Sequence, residues 1–171
     1  MALLCLILAG GKSKRMGQDK TLLYDSVNAL LSTLAKKGCK VVVACGTKDR
    51  AQLFEAQCWF DPPNAMSLAE VLRAFIEQHD EEIQLFPADM YRLDDDAIDV
   101  LLAQPHGIPV DAESNEQPTL ARIPRHCTLP KSMSLKGLFS NLNRNDMSEL
   151  GNRLENFNLP VQIDALNKSN Q

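Results

Sequence analysis

Residues 6–20 read LILAGGKSKRMGQDK. A short apolar run breaks there into the adjacent pair Gly10 and Gly11. A segment follows that sets Lys12, Lys14, Arg15 and Lys20 against the single carboxylate of Asp19. The whole chain carries a formal charge of −4, so positive charge is concentrated in this one stretch. A buried strand ending in such a loop suits a polyphosphate. Glycines let main-chain amides come close to the ligand, and cations neutralise the charge that develops during phosphoryl chemistry. The spacing is not that of a Walker loop, which needs Gly-Lys-Ser/Thr, nor of the three-glycine dinucleotide fingerprint.

A second candidate is Asp89, delivered by IQLFPADM just beyond an apolar run. In a parallel sheet, ligands collect at the carboxyl ends of strands, near the point where strand order reverses. A carboxylate there could face the same crevice as the glycine loop. Magnesium takes oxygen ligands and is often held by one or two carboxylates, with substrate phosphates and waters completing the shell. Taken alone, Asp89 reads more readily as a helix cap or a solvated residue than as a metal ligand. Asp61, which ends the run CWF ahead of Pro62 and Pro63, reads alone as a turn residue.

The complete string L-A-G-G-x-S-x-R-M-G-x-D-K, from Leu8 to Lys20, resembles the signature of the small nucleotidyltransferases. It is most similar to the molybdenum cofactor guanylyltransferases of the MobA-like family. Pro87-Ala88-Asp89 resembles the strand end that carries that family's metal-binding Asp, and Leu93 fits the same pattern. Pro118-Thr119 resembles a Pro-Thr that enters a strand near the acceptor side. Elsewhere the sequence departs from the pattern. TLLYDSVNALL follows Lys20 directly where relatives usually have a strand with Gly-x-Pro. Ala44 stands where the guanylyltransferases tend to have Asn, and Asn64 to Leu68 contains no glycine where a Gly-Pro-Leu-x-Gly segment is usual. Asn156, Phe157 and Asn158 only echo an Asn-x-Asn-Thr-Pro run.

The resemblance implies a three-layer, Rossmann-like α/β domain with a mostly parallel sheet, of the nucleotide-diphospho-sugar transferase type. It implies transfer of GMP from Mg²⁺-bound GTP to the phosphate of molybdopterin, with release of pyrophosphate. Leu8, Ala9, Gly10 and Gly11 would hold the nucleotide together with Asp61. Arg15 would bind the β- and γ-phosphates, Lys20 the α-phosphate, and Asp89 the Mg²⁺. Transient contact with other cofactor-biosynthesis proteins or apo-molybdoenzymes would follow. Two alternatives stay open: a related cytidylyl- or other nucleotidyltransferase of the same fold, and a non-catalytic protein that binds a nucleotide or a partner.

The elements that must position these residues alternate between strand and helix, which predicts a parallel sheet flanked by helices. Val27, Leu30, Leu31 and Leu34 form a helical stripe ended by Gly38. KVVVAC is a buried strand, and a polar helix is expected around residues 49–56. Ser67 and Glu70 form a capping box ahead of an amphipathic helix, IQLFP is a strand, and Asp94 to Asp96 begin a further helix. PTLARI reads as a strand, the Leu135, Leu138, Phe139, Leu142 stripe and the Asp146 to Glu149 pattern as two late helices, and VQID as a last strand.

With 171 residues and 44% hydrophobic content, residues 1–171 read as a single domain. No apolar run approaches the roughly 18–20 residues that span a bilayer. MALLCLILAGG lacks a basic leader and reads as a first strand rather than a signal peptide. Five cysteines without a CxxC pair suggest free thiols and a cytoplasmic protein. Three scattered histidines give no zinc pattern, and the acidic balance with 5% aromatics gives no nucleic-acid footprint.

Overall fold

The computed structural model describes residues 3–10 and 19–155, with residues 19–24 described by their backbone alone. Its centre is strand β1 (Leu4–Leu8), where Leu4 to Ile7 are fully buried. β1 pairs in parallel with β2 (Lys40–Gly46) along one edge and with β4 (Ile83–Pro87) along the other. β3 (Gln57–Phe60) extends the sheet in parallel beyond β2. β6 (Arg122–Ile123) closes the other side, antiparallel to β4. The five-stranded order is β3-β2-β1-β4-β6, so the chain winds away from β1 in one direction and then returns to its other side.

That reversal dictates where the helices lie. Right-handed crossovers that step in opposite directions across a sheet must cover opposite faces. α1 (Asp19–Lys36) joins β1 to β2, and its Val27 and Leu34 pack with Cys5, Ile7, Val43 and Phe86. α3 (Asp95–Leu102) joins the same layer through Ala97, Ile98 and Leu101. α2 (Leu68–Gln78) joins β3 to β4 on the opposite face, where Leu72, Phe75 and Ile76 meet Leu4, Leu6, Val42 and Leu85. The short α4 (Leu135–Leu138) adds Leu138 to this second core. Alternate residues of each strand feed opposite cores, as the period of two requires. The architecture is the expected α/β/α sandwich with a mostly parallel sheet.

Local signals act largely as read. The Ser67 side chain caps α2 by accepting from Glu70 N–H at 3.2 Å. The return bond of the box reaches one residue further upstream, to Met66 N–H. Asp94 caps α3 by accepting from Ala97 N–H at 2.8 Å.

Four expectations change. Lys48–Leu53 forms a 3-10 turn rather than an α-helix. PTLARI is mostly not strand: Pro118–Leu120 is another 3-10 turn, and only Arg122 and Ile123 pair with β4. There the Leu120 carbonyl is taken by two side-chain amides, Gln84 Nε2 at 2.8 Å and Gln104 Nε2 at 3.0 Å, instead of by a ladder. The late stripe gives only the four-residue α4, and Ser148–Leu154 is 3-10 rather than α, interrupted at Gly151 (φ 55°). β5 (Ile108–Val110) and β7 (Arg144–Asp146) form a small parallel pair without a strong apolar pattern to announce them. VQID lies outside the described residues.

The amides on Leu120 belong to a buried network that fixes β4. Gln104 Nε2 also donates to Gln84 Oε1 at 2.9 Å, and Gln84 is fully buried. Leucine at position 84 would leave Gln104 and the Leu120 carbonyl short of partners, and a buried orphan costs about 1–3 kcal/mol. Gln84→Leu is expected to lower the thermal midpoint by roughly 4–8 °C, for about 2 kcal/mol lost. An unchanged midpoint in a melting curve contradicts this role for the network.

Candidate active site

The switch point lies between β1 and β4, whose carboxyl ends are in register at Leu8 and Pro87. Leu8, Ala9 and Gly10 leave β1, and Ala88 and Asp89 leave β4 beside them. The structure therefore brings together the two segments singled out in the sequence. Gly11 and Arg15 lie outside the described residues. Lys20 is placed by its backbone in the first turn of α1, the helix that starts at Asp19.

Gly10 is glycine for a geometric reason. A Cβ on it would stand 3.0 Å from Gly46 N and 3.2 Å from Gly46 Cα, both main-chain atoms. Gly46 in turn has φ 83°, a conformation that favours glycine, and a Cβ on it would stand 3.0 Å from Gly10 O. β1 and β2 thus end in two glycine backbones in mutual contact. The next strand joins them: Asp61 N–H donates to Gly46 O at 2.8 Å. Gly10, Gly46 and Asp61 form a continuous step across the strand ends.

Asp89 sits in the turn after β4. Its neighbours Ala88 and Met90 are buried in the α1-side core, and Leu93 packs against it. Ser26 of α1 anchors the turn, its Oγ donating to the Ala88 carbonyl at 2.8 Å. Burial pushes the Asp89 carboxyl above the usual carboxylate range, partly opposed by a hydrogen bond from its own backbone. Among the described residues no cation forms a salt bridge with it. Burial likewise raises Asp61.

A partly desolvated carboxylate without a cation is a site that a cation would relieve. Among the described residues no group of three or more His, Cys, Asp or Glu could form a complete metal cage. One hard oxygen donor suits Mg²⁺ that draws its remaining ligands from phosphates and water. Asp61 ends β3, three strands from β4, so at about 4.8 Å per strand it stands roughly 14 Å across the sheet. It cannot share a metal with Asp89. Only a ligand lying across the strand ends would touch both.

Two residues at these ends went unread in the sequence. Ser26 is polar at the edge of the apolar stripe of α1, next to Val27. Arg50 follows β2, and its Nη2 donates to the Ala9 carbonyl at 2.8 Å. The available signal was position: Arg50 comes four residues after Gly46, at the carboxyl end of a central strand.

The mostly parallel sheet and its layers are those of the nucleotide-diphospho-sugar transferase fold, as solved structures show. A protein of Aquifex aeolicus VF5 superposes with a TM-score of 0.68 at 19% identity, over 91% of this chain and 93% of that one. CMP:2-keto-3-deoxy-manno-octonic acid synthetase, solved with CTP, gives 0.59 at 12% identity over 100% of both chains. A protein of Desulfovibrio desulfuricans G20 named for the nucleotide-diphospho-sugar transferases gives 0.52 at 14%, over 99% of this chain and 78% of that one. At such identities the likeness is one of fold. The chain belongs to the MobA-like NTP transferase domain family, whose profile matches residues 5–145. No curated protein matches its sequence. Among the described residues no helix is long and apolar enough to cross a membrane.

The raised carboxyl of Asp89 has a definite stability sign. The folded state holds that proton more tightly than the unfolded chain. The ionised group therefore destabilises the fold above its folded-state range and has no effect below the ordinary carboxylate range. Asp89→Asn is expected to raise the thermal midpoint at neutral pH, with the gain vanishing in acid, and to abolish Mg²⁺-dependent nucleotide binding. Scanning calorimetry across pH, with titration of nucleotide and Mg²⁺, checks both. A lower midpoint at neutral pH contradicts the assignment of Asp89 as a carboxylate destabilised by burial.

Proposed function

We propose that this member of the family transfers GMP from GTP to the terminal phosphate of molybdopterin. The observation that carries the reading is the meeting of the Gly10 turn and the partly buried Asp89 carboxylate at the switch point of the sheet. The guanine and molybdopterin parts rest on the resemblance of residues 8–20 to the guanylyltransferase signature.

In this reaction a phosphate oxygen of the acceptor attacks the α-phosphorus of GTP in line. A new phosphorus–oxygen bond forms as the α–β bridging bond breaks, and pyrophosphate leaves with that electron pair. The protein need not form a covalent intermediate, so its task is positioning and charge neutralisation. The main chain from Leu8 to Gly11 would receive the nucleotide, with Asp61 touching it from the far side of the glycine step. Arg15 presents a planar fork suited to the β- and γ-phosphates. Lys20, at the start of α1, would meet the charge that grows on the α-phosphate. Asp89 would hold Mg²⁺, which reduces repulsion between the approaching phosphates. Ser26 keeps the Asp89 turn fixed to the helix that carries Lys20. Other cofactor-biosynthesis proteins or apo-molybdoenzymes would take the product by transient contact.

One observation favours testing a second nucleotide. Ala44, buried on β2 near the Gly10 step, replaces the Asn usual in the guanylyltransferases, and the synthetase of similar fold was solved with CTP. A cytidylyl transfer on the same phosphate machinery is the competing outcome.

Lys20→Ala and Asp89→Ala are each expected to lower the transfer rate by about 10²–10³-fold, the usual loss for one contact to transition-state charge. Pyrophosphate release with GTP or CTP and molybdopterin measures it, and circular dichroism checks that the fold survives. Turnover by either variant near the wild-type rate overturns the site. Faster turnover of CTP than of GTP replaces the guanylyl reading with the cytidylyl one.

A further inference from the structure

We propose that Arg50 is a positioning residue for the nucleotide, acting through the peptide that joins Ala9 to Gly10. The proposal rests on the nucleotide-transfer reading above.

The main-chain groups at this point have fixed directions. Ala9 N–H donates to the Ala44 carbonyl at 2.9 Å, so its donor side faces β2. Its carbonyl accepts from Arg50 Nη2 at 2.8 Å, and Arg50 belongs to the turn that follows β2. The Ala9 carbonyl is thus held on the β2 side as well, at the point where the β1–β2 ladder ends. A trans peptide is planar, and its C=O and N–H point in opposite directions. Pinning the Ala9 carbonyl toward β2 therefore turns the Gly10 N–H the other way, toward β4 and the turn that carries Asp89. That is where the phosphates of a Mg²⁺-bound nucleotide would lie.

Without this clamp the peptide could flip, because glycine at position 10 tolerates both orientations. A flipped peptide would aim a carbonyl oxygen at the phosphates in place of a donor. The guanidinium also withdraws electron density from the carbonyl it binds. That makes the Gly10 N–H a better donor, since hydrogen bonds in a chain strengthen one another. Arg50 thus supports an anion site without touching the anion.

A second observation argues that the head group is held for more than stability. Arg50 Nε is buried and has no hydrogen-bond partner among the described residues. Leaving such a donor without an acceptor weakens the free protein. A side chain serving only to staple the turn to β1 would be better replaced by an apolar one.

The test compares Arg50→Met and Arg50→Lys with the wild type in the full chain. It uses calorimetric titration of Mg²⁺-GTP and Mg²⁺-CTP, together with KM and kcat for transfer. Arg50→Met is expected to weaken nucleotide binding and raise KM by about tenfold to a hundredfold, the weight of a charged hydrogen bond. The change in kcat should be smaller. Arg50→Lys keeps a cationic donor for the Ala9 carbonyl and should recover most of the affinity. The Gly10 amide resonance of the free protein should move in Arg50→Met and return toward its wild-type position in Arg50→Lys.

Equal nucleotide affinity in wild type and Arg50→Met, with both folded at the temperature of titration, overturns the proposal and leaves the functional reading intact. Loss of thermal stability in Arg50→Met with no change in KM also overturns it, because a staple alone behaves so. Failure of the wild type to bind any nucleotide overturns the functional reading and this proposal together.

Discussion

The site depends on one constraint: β1 is paired in parallel along both edges, and the chain reverses its winding direction around it. Because β2 and β4 flank β1, segments from opposite halves of the chain emerge side by side at their carboxyl ends. Because the crossovers keep one hand, α1 and α2 fall on opposite faces and seal the strands from water. At the row of strand ends the main chain runs out of ladder partners, which is where ligands of such sheets gather.

That row is built to different tolerances along its length. On the β2 side it is tight, with Gly10 and Gly46 in backbone contact, Asp61 bonded to Gly46, and Arg50 closing on Ala9. On the β4 side, Asp89 is carried by a turn whose neighbours are sunk in the core and whose carbonyl is tied to Ser26, and its own carboxyl is partly desolvated with no salt bridge among the described residues. A rigid cradle of main-chain groups beside a partly desolvated carboxylate suits the nucleotide chemistry proposed. On the proposed reading, the rigid part would orient the phosphates without reorganisation, and the carboxylate would gain its counter-ion when the nucleotide arrives with one.

Much of this was legible in the sequence, for identifiable reasons. The apolar β1, β2 and β4 runs, the Val27 to Leu34 stripe and the Ser67 and Asp94 caps are local signals, and local physics carries them into the structure. Asp89 could be singled out only by joining its place at a strand end with the resemblance of Pro87-Ala88-Asp89 to the family's strand end. The failures are non-local. PTLARI has strand-like composition, but the Leu120 carbonyl is claimed by Gln84 and Gln104, residues distant in sequence. Arg50 looks like any surface cation until the fold brings it to the Ala9 carbonyl 41 positions away. The β5–β7 pair is short and half exposed, so it presents almost no periodicity to read.

The most direct test of the account is calorimetric titration of GTP, CTP, ATP and UTP into the full chain, with and without Mg²⁺. A guanylyltransferase site requires saturable binding that needs Mg²⁺, favours GTP, and disappears when Asp89 is changed to Asn. Binding that is indifferent to Mg²⁺ and survives that substitution, or no binding at all, would contradict it.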